Sequence, residues 1–166
     1  KTPILVRELI KKGAEVRVII TQSAKNFVTP LTLSTVSKNP VLSSFIATDQ
    51  DNPLWNDHVA IGLWADLFIV APATANTISN MAHAVCNNLL LATYLSAKCP
   101  VFIAPAMDLD MYAHNAQQKN LSVLKKVGNI VFPVGEGALA SGLSGQGRML
   151  EPIETVSYTH LTLPTI

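Results

Sequence analysis

Residues 67–77 (LFIVAPATANT) constrain the fold more than any other stretch. An apolar run without a polar interruption, long enough for a strand and too short for a helix, leads to Pro72 and then to small polar residues that open a helical pattern. A strand without a polar face is covered on both sides, which predicts a parallel sheet between helix layers. In such sheets ligands gather beyond the carboxyl ends of the strands, where helix N-termini leave backbone N–H groups unpaired. Thr74, Asn76 and Thr77 fall at that place. Capping the helix is the alternative use of the same side chains.

The neighbouring segments extend the pattern. Residues 1–12 read as a helix ending at Gly13, and residues 15–21 (EVRVIIT) as a buried strand whose carboxyl end carries Thr21 and Ser23. Small hydroxyl residues there suit a phosphate or a ring oxygen, or a helix cap. Residues 25–37 read as helical with a break at Pro30, 40–45 as a short strand, and 47–57 as an exposed loop. His58 then opens a helical run over 58–66. Apolar residues at Ile78, Met81, Ala82, Val85, Leu89 and Leu90 predict one long helix over 75–97, with His83 beside the packed face as a structural histidine. Residues 100–104 (PVFIA) form the next strand, 115–127 a helix ending at Gly128, and 129–134 a last strand. Alternating strands and helices predict an α/β fold: a doubly wound, Rossmann-like or flavodoxin-like parallel sheet with helices on both faces. A first helix that feeds a strand ordinarily follows another strand, so the first strand of the sheet is expected to be missing.

Composition narrows the function classes. Charged residues are only 14% of the 166, the net charge is +1, and the mean hydropathy is +0.32. No segment reaches the roughly 18 apolar residues of a membrane span, so the surplus apolar surface is expected in subunit contacts. Lys11-Lys12 and Lys125-Lys126 sit at helix ends and make no basic stripe for nucleic acid. Cys86 and Cys99 lack metal-ligand spacing and read as buried thiols of a cytoplasmic protein, with no metal expected.

Residues 135–152 hold five glycines and are expected to form a flexible loop able to close over a site. Arg148, its one cation, suits a carboxylate or phosphate, a solvated surface arginine being the plainer reading. Residues 157–166 alternate like a strand without a partner. They are expected to be a non-native tail, so 1–155 is taken as the domain, 156–166 as the tail, and no function is drawn from His160.

Four segments together resemble the flavin-containing cysteine decarboxylases. They are His58 ahead of Trp64-Ala65-Asp66, the turn at 71–77, Ala104-Pro105-Ala106-Met107-Asp108 with Met111, and residues 145–152 (GQGRMLEP). The resemblance implies FMN bound near Thr21, Ser23, Ala73, Thr74, Ala75, Asn76, Thr77, Ala106 and Met107. It implies His58 as a catalytic residue, Asp108 and Met111 at the substrate carboxylate, and a clamp carrying Arg148 and Met149. Assembly as a homo-oligomer, a trimer or multiple of trimers, is implied as well.

The reaction implied is FMN-dependent decarboxylation of phosphopantothenoylcysteine to phosphopantetheine in coenzyme A biosynthesis. A fused phosphopantothenate–cysteine ligase domain is the expected C-terminal continuation. A cysteinyl carboxylate has no electron sink, so the thiol carbon is first oxidised to a thioaldehyde, and decarboxylation then leaves an enethiol to be reduced. A histidine near neutrality suits the first proton transfer. In the family a clamp cysteine donates the last proton, whereas this clamp carries Ser141 and Ser144. Ser144 stands where some relatives place the thiol, and a hydroxyl is the weaker acid. Asp108 stands where most relatives have asparagine, and an ionised carboxylate would repel a substrate carboxylate. Two alternatives remain: a peptidyl-cysteine decarboxylase of the same fold, and a flavin-binding scaffold or regulatory subunit without turnover.

Overall fold

The computed structural model describes residues 1–47 and 54–162. In order they form α1 (Thr2–Lys11), β1 (Val18–Ile19), α2 (Pro30–Ser37), β2 (Val41–Leu42), β3 (Ile46–Ala47), β4 (Leu54–Trp55), α3 (His58–Trp64), β5 (Phe68–Ala73) and α4 (Ala75–Ala82). There follow α5 (Leu89–Ser96), β6 (Val101–Pro105), α6 (Leu109–Ala113), α7 (Asn115–Lys126), β7 (Ile130–Val131), β8 (Gly135–Ala138), β9 (Ser144–Arg148) and α8 (Pro152–Thr162). Two compact units result: Lys1–His58 with Asn88–Leu90 and Glu151–Ile166, and Val59–Asn87 with Leu91–Leu150.

The second unit contains the strand that governs the sequence. β5, β6 and β7 form a parallel sheet in that order, with Phe68 opposite Val101 and Phe102 opposite Ile130. Every residue of β6 is buried, as a central parallel strand between covering layers requires. The rings of Phe102 in β6 and Phe132 just after β7 meet at a tilt of 31° with their centroids 5.3 Å apart. α4 packs on α7, and α6 packs on both α7 and β9.

In the first unit β1 and β2 pair in parallel, and α1 packs on α2 and α8. Pro30 starts α2 rather than interrupting it. Its missing N–H falls at an unpaired helix position, while Thr29 Oγ1 accepts from Thr32 N at 3.1 Å. β3 and β4 pair in antiparallel fashion at the edges of the predicted loop, whose residues 48–53 lie outside the described residues.

Four expectations are corrected. The helix over 75–97 is two helices, because the chain closes α4 at His83 and passes through Ala84 at φ 54°. Val85 prolongs the apolar pattern past that break, although it is 37% exposed. Residues 135–148 are a β-hairpin, β8 against β9, in which Gly137 and Gly147 take φ of 140° and 143°. The strand-like alternation after residue 157 is helical through Thr162, with Thr155, Val156 and Thr159 buried at helix spacing. Cys86 is exposed and Cys99 half-buried, where buried thiols were expected.

Phe102 is fully buried, so Phe102→Ala is expected to destabilise the protein by about 3–5 kcal/mol, measured by chemical denaturation followed by circular dichroism.

Candidate functional site

The turn after β5 and the turn after β6 leave the sheet side by side. Ala106 N donates to Ala73 O at 2.9 Å, which joins the two turns by their backbones. Thr74 caps α4: its Oγ1 accepts from Thr77 N at 3.3 Å and lies 3.2 Å from Thr77 Oγ1. Ala73 is fully buried, whereas Thr74 and Asn76 are exposed. The residues predicted to meet a cofactor are thus alanines that leave room, with hydroxyl, amide and helix N-terminal N–H groups around them. This neutral donor and acceptor set fits the hydrogen-bonding edge of a flavin ring.

The β8–β9 hairpin lies over the second of these turns. Met107 N donates to Gly147 O at 3.0 Å. Gly147 is required there because a Cβ would overlap Met107 O, and a Cβ at Gly145 would lie 2.9 Å from Leu109 Cδ1. Asp108 caps α6 through Oδ1, which accepts from Leu109 N at 2.8 Å and from Ser141 Oγ at 3.0 Å. Its Oδ2 has no hydrogen bond among the described residues. Ser144 is exposed at the start of β9, opposite Ala138 in the ladder. Arg148 lies along the Gly137 backbone, and Met149 is buried.

Met111 lines an open cleft of about 460 Å³ that the sequence did not reveal. α4 contributes Ala75 and Ser79, α6 Asp110 beside Met111, and α7 Gln117 with the N-cap His114. Gln117 is 7% exposed, yet its Nε2 has no partner. Helix spacing in α7 would have grouped His114 with Gln117 only if that face were known to border a cavity.

In the first unit, Thr21 Oγ1 accepts from Ala24 N at 3.3 Å, capping a 3-10 turn that Ser23 begins. His58 starts α3 with its ring edge-on to Phe45, centroids 5.9 Å apart, and to Trp55 at 6.4 Å. Phe45 and Trp55 stack on one another at 5.8 Å. His58 Nδ1 is buried without a partner, and among the described residues only Gln117 Nε2 shares that state. Such an atom costs about 1–3 kcal/mol unless something bound supplies its partner. His83, outside the site, has its Nδ1 2.8 Å from Ser79 O.

The sequence model of the Flavoprotein family matches residues 1–162. The chain is 59% identical over 129 residues to a Cysteine/Cysteine sulfinic acid decarboxylase from an unknown prokaryotic organism, covering 78% of this chain and 35% of that protein. It is 43% identical over 152 residues to the Coenzyme A biosynthesis bifunctional protein CoaBC of Bacillus subtilis, covering 92% and 37%. The chain therefore spans just over a third of the length of these relatives. Among solved structures, that of the FMN-dependent cysteine decarboxylase SpaF superposes with a TM-score of 0.76 at 26% identity, covering 96% of this chain and 87% of that one.

Gly147→Ala is expected to displace the hairpin from Met107 while leaving the sheet folded. Faster amide exchange at Met107, with unchanged exchange in β6, is the readout. Burial pushes the Cys99 thiol above its ordinary range, with Asp66 adding to the shift, so less thiolate is present at a given pH. Alkylation by iodoacetamide at pH 8, read by peptide mass spectrometry, should therefore modify exposed Cys86 before Cys99.

Proposed function

Because the chain belongs to the Flavoprotein family, we propose that it is an FMN-dependent decarboxylase acting on a cysteinyl carboxylate. The observation that carries this reading is His58 Nδ1, a buried nitrogen without a partner on the one histidine that the resemblance places in catalysis. Thr74, Asn76 and Thr77, with the N-terminal amides of α4, would hold FMN. When bound, FMN supplies the two-electron oxidation of the thiol-bearing carbon that gives the departing carboxylate an electron sink.

The chain's own groups do the rest. His58, edge-on to both the Phe45 and Trp55 rings, would accept a proton from the substrate during oxidation. The β8–β9 hairpin, bonded to the turn at Met107 through Gly147 O, would carry Arg148 and Met149 as the substrate clamp. Ser144 takes the place of the thiol as the last proton donor, and its weaker acidity makes the reductive half the slow one.

Similarity to CoaBC supports phosphopantothenoylcysteine as the substrate and phosphopantetheine as the product, within coenzyme A biosynthesis and alongside a fused ligase domain. A second reading, decarboxylation of free cysteine, is favoured by the 59% identity to the Cysteine/Cysteine sulfinic acid decarboxylase. Assembly as a cytoplasmic homo-oligomer belongs to the same proposal. Leu31 at 75% exposure and Leu63 at 61% are surfaces that a subunit contact would cover.

The test is mass spectrometry of products after incubation of the FMN-loaded chain with phosphopantothenoylcysteine and, separately, L-cysteine. Loss of carbon dioxide from either supports the proposal, and accumulation of the oxidised enethiol locates the slow step in the serine-bearing clamp. His58→Asn is expected to retain FMN, judged by the visible spectrum, and to lose bleaching of the flavin by substrate by at least about a hundredfold. Unimpaired bleaching in that variant would remove His58 from the mechanism.

A further inference from the structure

A histidine that moves a proton is ordinarily oriented by a hydrogen bond from its second ring nitrogen to a carboxylate or a carbonyl, which also fixes the tautomer. His58 has no such holder among the described residues, since its Nδ1 is buried without a partner. Its ring meets instead the hairpin that precedes it in the chain. Phe45 lies at 88° to the imidazole with centroids 5.9 Å apart, and Trp55 at 69° and 6.4 Å. Edge-on aromatic neighbours oppose rotation of the imidazole plane, yet neither occupies a ring nitrogen.

The backbone of the hairpin keeps these two rings together. β3 and β4 pair with Ile46 opposite Trp55 and Ala47 opposite Leu54. Asn56 closes the end nearer His58 twice: its N donates to Phe45 O at 2.7 Å, and its Nδ2 donates to Ser44 O at 2.7 Å. The Phe45 and Trp55 rings stack at 20° with centroids 5.8 Å apart. Trp55 is 61% exposed, so most of its surface serves no packed core, and only Asn56 and Asp57 separate it from His58 in the chain. We propose that Trp55 is a positioning residue for His58: backed by Phe45, its ring sets the tilt of the imidazole and leaves Nδ1 open to a partner on a bound molecule. The inference rests on the decarboxylase reading and adds to it the device that orients its base.

The test uses the FMN-loaded chain with Trp55→Ala and Trp55→Phe, the second of which keeps an aromatic ring against Phe45. Flavin bleaching is followed over a range of concentrations of phosphopantothenoylcysteine and, separately, L-cysteine, and the His58 ring is followed by imidazole nitrogen NMR. Trp55→Ala is expected to lower the maximal bleaching rate by about fivefold, the size of one edge-on aromatic pair, and to leave the half-saturating substrate concentration unchanged. The same variant should displace the His58 ring signals while those of His83 and His114, which lie outside the hairpin, stay in place. Trp55→Phe should recover most of the rate and the original signals, a rescue that general damage to the fold would not allow. Full-rate bleaching by Trp55→Ala, or an equal loss in both variants, would overturn the inference and leave the decarboxylase reading standing. If neither substrate bleaches the flavin of the unaltered chain, the decarboxylase reading falls and the NMR signals decide alone. Displacement by Trp55→Ala that Trp55→Phe reverses then supports the inference, and unmoved signals overturn it.

Discussion

The contact between Gly147 and the backbone at Met107 is the constraint on which the candidate site depends. A hairpin strand can lie this close to another segment's carbonyl only where it has no side chain, and only glycine takes φ of 143° without strain. The approach lets Met107 N reach Gly147 O and Ser141 Oγ reach Asp108 Oδ1. Each of these bonds leaves little room for adjustment, because the turn beneath is itself tied to the end of β5 through Ala106 N and Ala73 O. The parallel sheet fixes the two turns, and the hairpin is fixed by them in turn.

Much of this was legible in the sequence where one physical cause dominated. The uninterrupted apolar run of β5 and the buried β6 announce a parallel sheet, since no polar face is kept for water. Pro30 and Thr29 mark the start of α2 by chemistry that acts within one turn. The hairpin was missed because its glycines serve close approach to another segment, a long-range cause that composition presents as flexibility. The break between α4 and α5 was missed for a related reason. Val85 keeps the helical period, and nothing local signals that Ala84 takes a left-handed conformation.

The same distinction divides the site residues. Thr74 and Asp108 are conspicuous because small polar residues after apolar strands are few, and both turn out to cap helices. Capping and ligand binding do not exclude each other. Thr74 Oγ1 orders the N-terminus whose remaining N–H groups stay available, and Asp108 keeps Oδ2 beyond the two bonds at Oδ1. Gln117 and Asp110 gave no such signal, because polar residues on an exposed helix are ordinary until a cavity is found beside them.

The polar accounting of the described residues then points one way. Nearly every buried polar atom in a folded chain finds a partner, since leaving one unpaired costs as much as a good hydrogen bond gives. Here the exceptions are an imidazole nitrogen framed by aromatic rings and an amide nitrogen at a cleft. Replacing either by an apolar group of similar shape would remove that cost, so retaining them is a burden on stability unless a bound molecule completes them.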